Sequence, residues 1–164
     1  MVNGKIKGGK KEREIAVELS RWITHGEKDD CLWRSALSGG RATVSHRKGK
    51  ILANQSGDLS AISPEGHVLT DRFYIEIKHL KDISLDCLIK GKGVLLNIWW
   101  DTEKKAALYN KIPTLIFQQN YFPTVFCTNG LGISMLKAES FICVTSGTLH
   151  LIRFDDLMKS DFPL

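Results

Sequence analysis

The sequence predicts one α/β domain in which a mixed β-sheet is flanked by helices. Stretches with the 3.6-residue apolar period of a helix alternate with short runs of β-branched and aromatic residues, and Gly or Pro separates most of them. The chain of 164 residues is long enough for one core, and its 43% apolar and 25% charged residues are typical of a globular protein. We therefore expect a single domain over residues 1–164.

The first helix is predicted over residues 10–24, after a flexible basic arm over residues 1–9. Glu12 falls on the apolar face of this helix, whereas Glu14 and Glu18 fall on the opposite face. An inward acid near the start of a helix can simply cap it, so Glu12 alone does not establish a functional site. The apolar face consists of Ile15, Ala16, Leu19, Trp22 and Ile23.

The remainder of the chain is predicted as strands with one more long helix. Residues 57–62 and 67–78 form a predicted hairpin, and residues 38–55 form a long loop with at most a weak strand. A helix is predicted over residues 97–109. The other predicted elements are strands at 31–36, 114–117, 124–127, 141–144 and 149–152, a helical turn at 155–159 and a polar connection at 79–93.

The strongest functional pattern lies on the apolar strand at residues 73–78. The period of two places Glu76 and Lys78 on one face of this strand and its apolar residues on the other. The predicted hairpin brings Asp58 opposite Glu76. Paired carboxylates are ligands that Mg²⁺ prefers, and a lysine beside them can orient water and stabilise negative charge on a phosphate. The pattern predicts metal-dependent phosphodiester hydrolysis, in which Glu12 could hold a water or a second ion.

The net charge of +5 is concentrated in two basic segments. No Asp or Glu occurs between Cys31 and Gly57, and a cluster of lysines opens the chain. This distribution predicts a polyanionic partner, most simply DNA, although a solvated basic surface is the alternative. The candidate DNA-binding residues are Lys7, Lys10, Lys11, Arg13, Arg34, Ser35, Ser38, Arg41, Arg47, Lys48 and Lys50.

Other classes of site receive little support. The four cysteines do not have the spacing of zinc ligands, which favours structural thiols. The five histidines do not cluster as an HNH nuclease or a zinc nuclease would require. The longest apolar run is too short to span a bilayer, and the first residues lack the apolar segment of a signal peptide. We expect a cytoplasmic protein without a membrane partner.

The acids and their surroundings resemble the PD-(D/E)xK nuclease superfamily, with Gly57 in place of its proline. Within that superfamily the likeness extends towards archaeal-type Holliday junction resolvases, over residues 7–118; residues 119–164 form a C-terminal extension outside it. The matching runs are Lys7-Gly-Gly-Lys-Lys-Glu12-Arg13-Glu14, Trp33-Arg34-Ser35-Ala36 with Ser38, and Tyr74-Ile-Glu76-Ile-Lys78.

The resemblance implies a restriction-endonuclease-like fold with an αβββαβ core and catalytic roles for Glu12, Asp58, Glu76 and Lys78. It implies a Mg²⁺ site, in which Mn²⁺ substitutes, with Asp58, Glu76 and the backbone carbonyl of Ile77 as ligands and Glu12 reached through water. It further implies a homodimer that cuts four-way DNA junctions, in a phage-encoded version of the family.

Two other functions remain open at this stage. One is a phage nuclease of the same fold that acts on duplex or single-stranded DNA, and the other is a DNA-binding protein without catalysis. A purely structural protein is a third and weaker option. The joint presence of the four predicted catalytic residues favours a nuclease, because a degenerate scaffold would be expected to lack at least one of them.

Overall fold

The structure is a computed structural model that describes residues 4–35, 56–84, 86–139, 142–144 and 149–163. The helices are α1 (Gly4–Ile23), α2 (His67–Thr70), α3 (Asp86–Lys90), α4 (Val94–Leu108), α5 (Gly130–Leu136) and α6 (Phe154–Lys159). The strands are β1 (Leu32–Arg34), β2 (Leu59–Ala61), β3 (Phe73–Leu80), β4 (Ile112–Gln119), β5 (Val125–Thr128), β6 (Ile142–Val144) and β7 (Leu149–Arg153).

The main sheet has five strands in the order β3-β4-β5-β7-β6. Strands β3 and β4 are parallel, with Glu76 beside Leu115, and the other neighbours are antiparallel. A separate antiparallel pair is formed by β1 and β2. The order α1-β1-β2-β3-α4-β4 is the predicted αβββαβ core, and β5–β7 form the C-terminal β extension. The fold is restriction-endonuclease-like, as predicted.

Helices cover both faces of the main sheet. On one face, α1 buries Ile15 and Leu19 in a cluster that includes Ile75 and Ile77 of β3. On the other face, the fully buried Trp99 of α4 packs in a cluster with residues of β4, β5 and β7. Because successive residues of β3 point to opposite faces, its apolar residues meet α1 while its charged residues lie on the side of α4.

The N-terminal arm was predicted wrongly. Helix α1 begins at Gly4 rather than near residue 10, so residues 4–9 are helical and are not a flexible arm. Gly9 is buried, and a Cβ atom at this position would lie 3.2 Å from the guanidinium of Arg34. Glycine at this position leaves room for the Arg34 side chain of β1, which explains why a glycine lies within the helix.

The predicted hairpin is also wrong. Residues 67–70 form helix α2 instead of strand, after a 3₁₀ turn at Pro64–Gly66, and β2 pairs with β1 rather than with β3. Proline at the first position of a helical turn fixes the backbone dihedral φ in the helical range, which explains why the chain turns helical here. Helix α5 was not predicted either; Asn129 caps it by accepting a hydrogen bond of 3.0 Å from the Gly132 N–H.

The two adjacent tryptophans of α4 differ in burial: Trp99 lies in the core, and Trp100 is partly exposed. Among the residues that the structure describes, no helix is long and apolar enough to cross a membrane. The predicted weak strand within residues 38–55 lies outside the described residues.

Candidate active site

Asp58 is held at the outer edge of β3 by its main chain and its side chain. Its N–H donates to the Ile75 carbonyl at 2.8 Å, and its Oδ2 accepts from the Ile77 N–H at 2.7 Å. Gly57 permits this approach, because its φ is +88° and a Cβ atom there would lie 2.5 Å from the Ile75 carbonyl oxygen. Proline, with φ near −65°, could not adopt this conformation. The departure from the usual proline is thus a structural requirement of this chain.

Glu76 and Lys78 lie on the same face of β3 and reach towards Asp58. The Lys78 Nζ lies 2.5 Å from the Glu76 Oε1 and 3.9 Å from the Asp58 Oδ2. The Tyr74 hydroxyl donates to the other Glu76 oxygen at 3.4 Å. The predicted convergence of Asp58 with the Glu-x-Lys run is therefore present, although the backbone that creates it is an edge contact rather than a hairpin.

The two carboxylates and the ammonium affect one another strongly. Burial raises the pKa of the Asp58 carboxyl to about 7, the negative charge of Glu76 adds to this effect, and the charge of Lys78 opposes it. Burial lowers the pKa of Lys78, but the charges of Glu76 and Asp58 outweigh it and raise that pKa above its usual value. The site therefore contains one acid that is costly to ionise and one lysine that remains cationic at neutral pH.

Glu12 lies at the same site and carries its own cation. Its side chain is largely buried, as the helical pattern predicted, and the Arg34 Nε donates to its Oε2. The charge of Glu12 also raises the pKa of Asp58, which shows that the two acids are electrostatically coupled. Gly9 lies against the same guanidinium, so α1, β1 and the Gly57 turn all contribute to the site.

Sequence reasoning missed a second lysine. Lys105 of α4 places its Nζ 3.9 Å from the Glu76 Oε1 and 2.7 Å from the Asp101 Oδ2. Its separation of 29 residues from Glu76 hides this proximity in the sequence. No local pattern marks it, because Lys105 reaches Glu76 only through the parallel crossover from β3 to β4, whose helix covers the sheet face that carries Glu76.

The donor set fits a hard divalent cation. Two buried carboxylates at short range repel each other, and a cation between them would relieve this repulsion. Within the described part of the chain, no three His, Cys, Asp or Glu side chains are grouped closely enough to hold a metal ion by themselves. Such a site would need backbone or water oxygens beside Asp58 and Glu76, which is common for Mg²⁺. The Ile77 carbonyl and a water-mediated role of Glu12 stay predictions.

Only some of the predicted DNA-binding residues lie in the part of the chain that the structure describes. On α1, Arg13 is exposed, while Lys10 and the nearly buried Lys11 lie 3.8 and 3.7 Å from carboxylate oxygens of Glu14. The Ser35 N–H donates to the Asp58 carbonyl, which places Ser35 at the site. Lys7 lies on α1. Ser38, Arg41, Arg47, Lys48 and Lys50 lie outside the described residues.

The sequence matches one protein-family model, described as "Phage putative PDDEXK endonuclease", over residues 3–148. This chain belongs to that family. The match covers most of the chain and includes every element that contributes to the site, so the protein is a metal-dependent endonuclease of the PD-(D/E)xK superfamily. A search of curated proteins and a search of solved structures each found no match.

The family identity gives the observed geometry its chemical meaning. Asp58 and the Glu76-x-Lys78 run match the acidic and Glu-x-Lys parts of the PDDEXK pattern named in that description, so they are the candidate metal-binding and catalytic residues of this endonuclease. The family match also extends beyond residue 118, into the strands predicted as a C-terminal extension.

Proposed function

We propose that this endonuclease hydrolyses DNA phosphodiester bonds with Mg²⁺ at the site formed by Glu12, Asp58, Glu76 and Lys78, and that its substrate is a four-way junction. The observation that carries the chemistry is the convergence of Asp58 and Glu76 at the edge of β3 with the Lys78 ammonium within 4 Å of both carboxylates. Mn²⁺ is expected to replace Mg²⁺, since both prefer oxygen ligands in similar geometry.

Each residue has a separate role in this proposal. Asp58 and Glu76 would bind the cation, which would supply positive charge that offsets the phosphate and activates water. Lys78 would stabilise the negative charge that develops on the phosphate oxygens, because it remains protonated beside two acids. Glu12 would orient a water molecule while Arg34 fixes its carboxylate.

The preference for four-way junctions is supported by the resemblance of the α1 run and the Glu76-x-Lys78 strand to junction resolvases. A homodimer is part of the same proposal, because symmetric cleavage of a junction needs two sites. The cytoplasm of a host cell is the proposed location.

Cleavage of a synthetic four-way junction in Mg²⁺, beside its matched linear duplex, single strand and Y-fork, tests the proposal. We expect paired symmetric nicks on the junction alone, and none with Asp58→Ala. Cleavage of duplex or single strand instead would refute the junction preference and leave the chemistry in place. Undiminished cleavage by Asp58→Ala would refute the assignment of the site.

A further inference from the structure

Lys105 is a half-buried lysine on α4 that no sequence motif identifies. The helix packs against β3 and β4, and buried Thr102 and Ala106 fix its orientation on the face of β3 that carries Glu76. The Lys105 side chain is 33% exposed, whereas the neighbouring Lys104 is exposed. The helix therefore directs one of two adjacent lysines towards the site and the other towards solvent.

The partners of Lys105 leave its ammonium available to a substrate. Glu76 Oε1 already has Lys78 at 2.5 Å, and Lys105 approaches the same oxygen from the helix at 3.9 Å. The closer partner of Lys105 is Asp101, at 2.7 Å, one turn earlier on α4 and 63% exposed. Exposed ion pairs at this spacing on a helix are weak, so a phosphate can take the place of Asp101 at little cost.

We propose that Lys105 is a second catalytic ammonium, which contacts the phosphate that is cleaved while Lys78 remains beside Asp58 and Glu76. This inference rests on the proposed function. A phosphate that reaches the carboxylate pair meets Lys78 from the strand and Lys105 from the helix. Negative charge on its non-bridging oxygens increases towards the transition state, so an ammonium placed there stabilises the transition state more than the bound substrate.

Lys105→Met tests the proposal, with Lys104→Met as the matched control because it removes the same charge from the same helix. We expect Lys105→Met to lower the single-turnover cleavage rate at saturating enzyme and Mg²⁺ by about 10- to 100-fold. DNA binding without metal should weaken equally in the two variants, since each loses one charge. Lys105→Arg should restore most of the rate, and Asp101→Asn should not lower it.

Several results would overturn the proposal. Lys105→Met and Lys104→Met with the same cleavage rate would remove Lys105 from the reaction. A defect of Lys105→Met that disappears at high Mg²⁺ would mean that Lys105 acts on Glu76 and not on the phosphate. A defect that Lys105→Arg does not rescue, together with a lower melting temperature, would indicate a structural role. An inactive wild-type protein would instead refute the proposed function itself.

Discussion

Asp58→Asn is expected to stabilise the metal-free protein at neutral and alkaline pH. The carboxyl of Asp58 has its pKa raised from 3.8 to about 7, chiefly by burial and then by the charge of Glu76. Its ionisation is therefore unfavourable in the folded state and favourable in the unfolded chain. Asparagine cannot ionise, and its carbonyl can still accept the hydrogen bond from the Ile77 N–H.

The size of the effect follows from the pKa. A pKa difference of one between the folded and unfolded states corresponds to about 1.4 kcal/mol. Ionising Asp58 therefore costs the folded state up to about 4 kcal/mol. The folded protein binds the proton more tightly, so wild-type stability falls as the pH rises from about 4 to about 7. The advantage of Asp58→Asn should be near zero at pH 4 and reach about 2–4 kcal/mol at pH 8, where Asp58 of the wild-type protein is ionised and asparagine is not.

Urea unfolding in EDTA, at intervals from pH 4 to pH 8, measures this difference. Asp161→Asn is the control, because it makes the same substitution at an exposed position. An advantage that does not change with pH, or a variant less stable than wild type at pH 8, would refute the electrostatic reasoning. Added Mg²⁺ should raise the melting temperature of the wild-type protein and have little effect on Asp58→Asn.

Three further predictions follow from other features. Gly57→Ala should destabilise the fold by about 2–4 kcal/mol in urea unfolding, because the new Cβ meets the Ile75 carbonyl. Gly26→Ala shares a positive φ but has nothing within 4 Å, so it should cost only about 1 kcal/mol, and an equal cost for both would contradict this account. Neutralising Arg47 and Lys48 should weaken DNA binding and flatten its salt dependence, and an unchanged slope would exclude phosphate contacts there. The buried, free thiols of Cys31 and Cys127 should resist alkylation until the protein unfolds, as mass spectrometry of labelled peptides would show; burial also raises the pKa of Cys127, and rapid labelling of the native state would contradict the structure.

Two of the candidate catalytic acids, Glu12 and Glu76, could be placed from the sequence because each carries a local signal. Glu12 follows from the period of a single helix, and the Glu76-x-Lys78 spacing follows from the period of a single strand. Both depend only on residues close in sequence. The placement of Asp58 was predicted for the wrong reason, since the Pro64 turn continues into helix α2 and β2 pairs with β1 rather than with β3.

Lys105 and the role of Gly57 could not be predicted in the same way. Lys105 meets Glu76 only after β3, α4 and β4 have formed a parallel crossover, so its position depends on tertiary packing rather than on a pattern. The positive φ of Gly57 reflects a close approach to Ile75, eighteen residues further along the chain. A glycine in a sequence permits such a contact but does not identify its partner.

The main chain of Asp58 joins the two sheets of the molecule. Its N–H is bonded to β3 through Ile75, and its carbonyl accepts from Ser35, directly after β1. Residues 36–55, with four of the nine basic side chains expected to meet DNA, lie between β1 and β2 in the sequence. A mechanical load that bound DNA places on this connection would act on the β1–β2 pair. Asp58, the aspartate proposed to bind the metal, is a residue that hydrogen-bonds this pair to the main sheet, so the load would reach the proposed metal site directly.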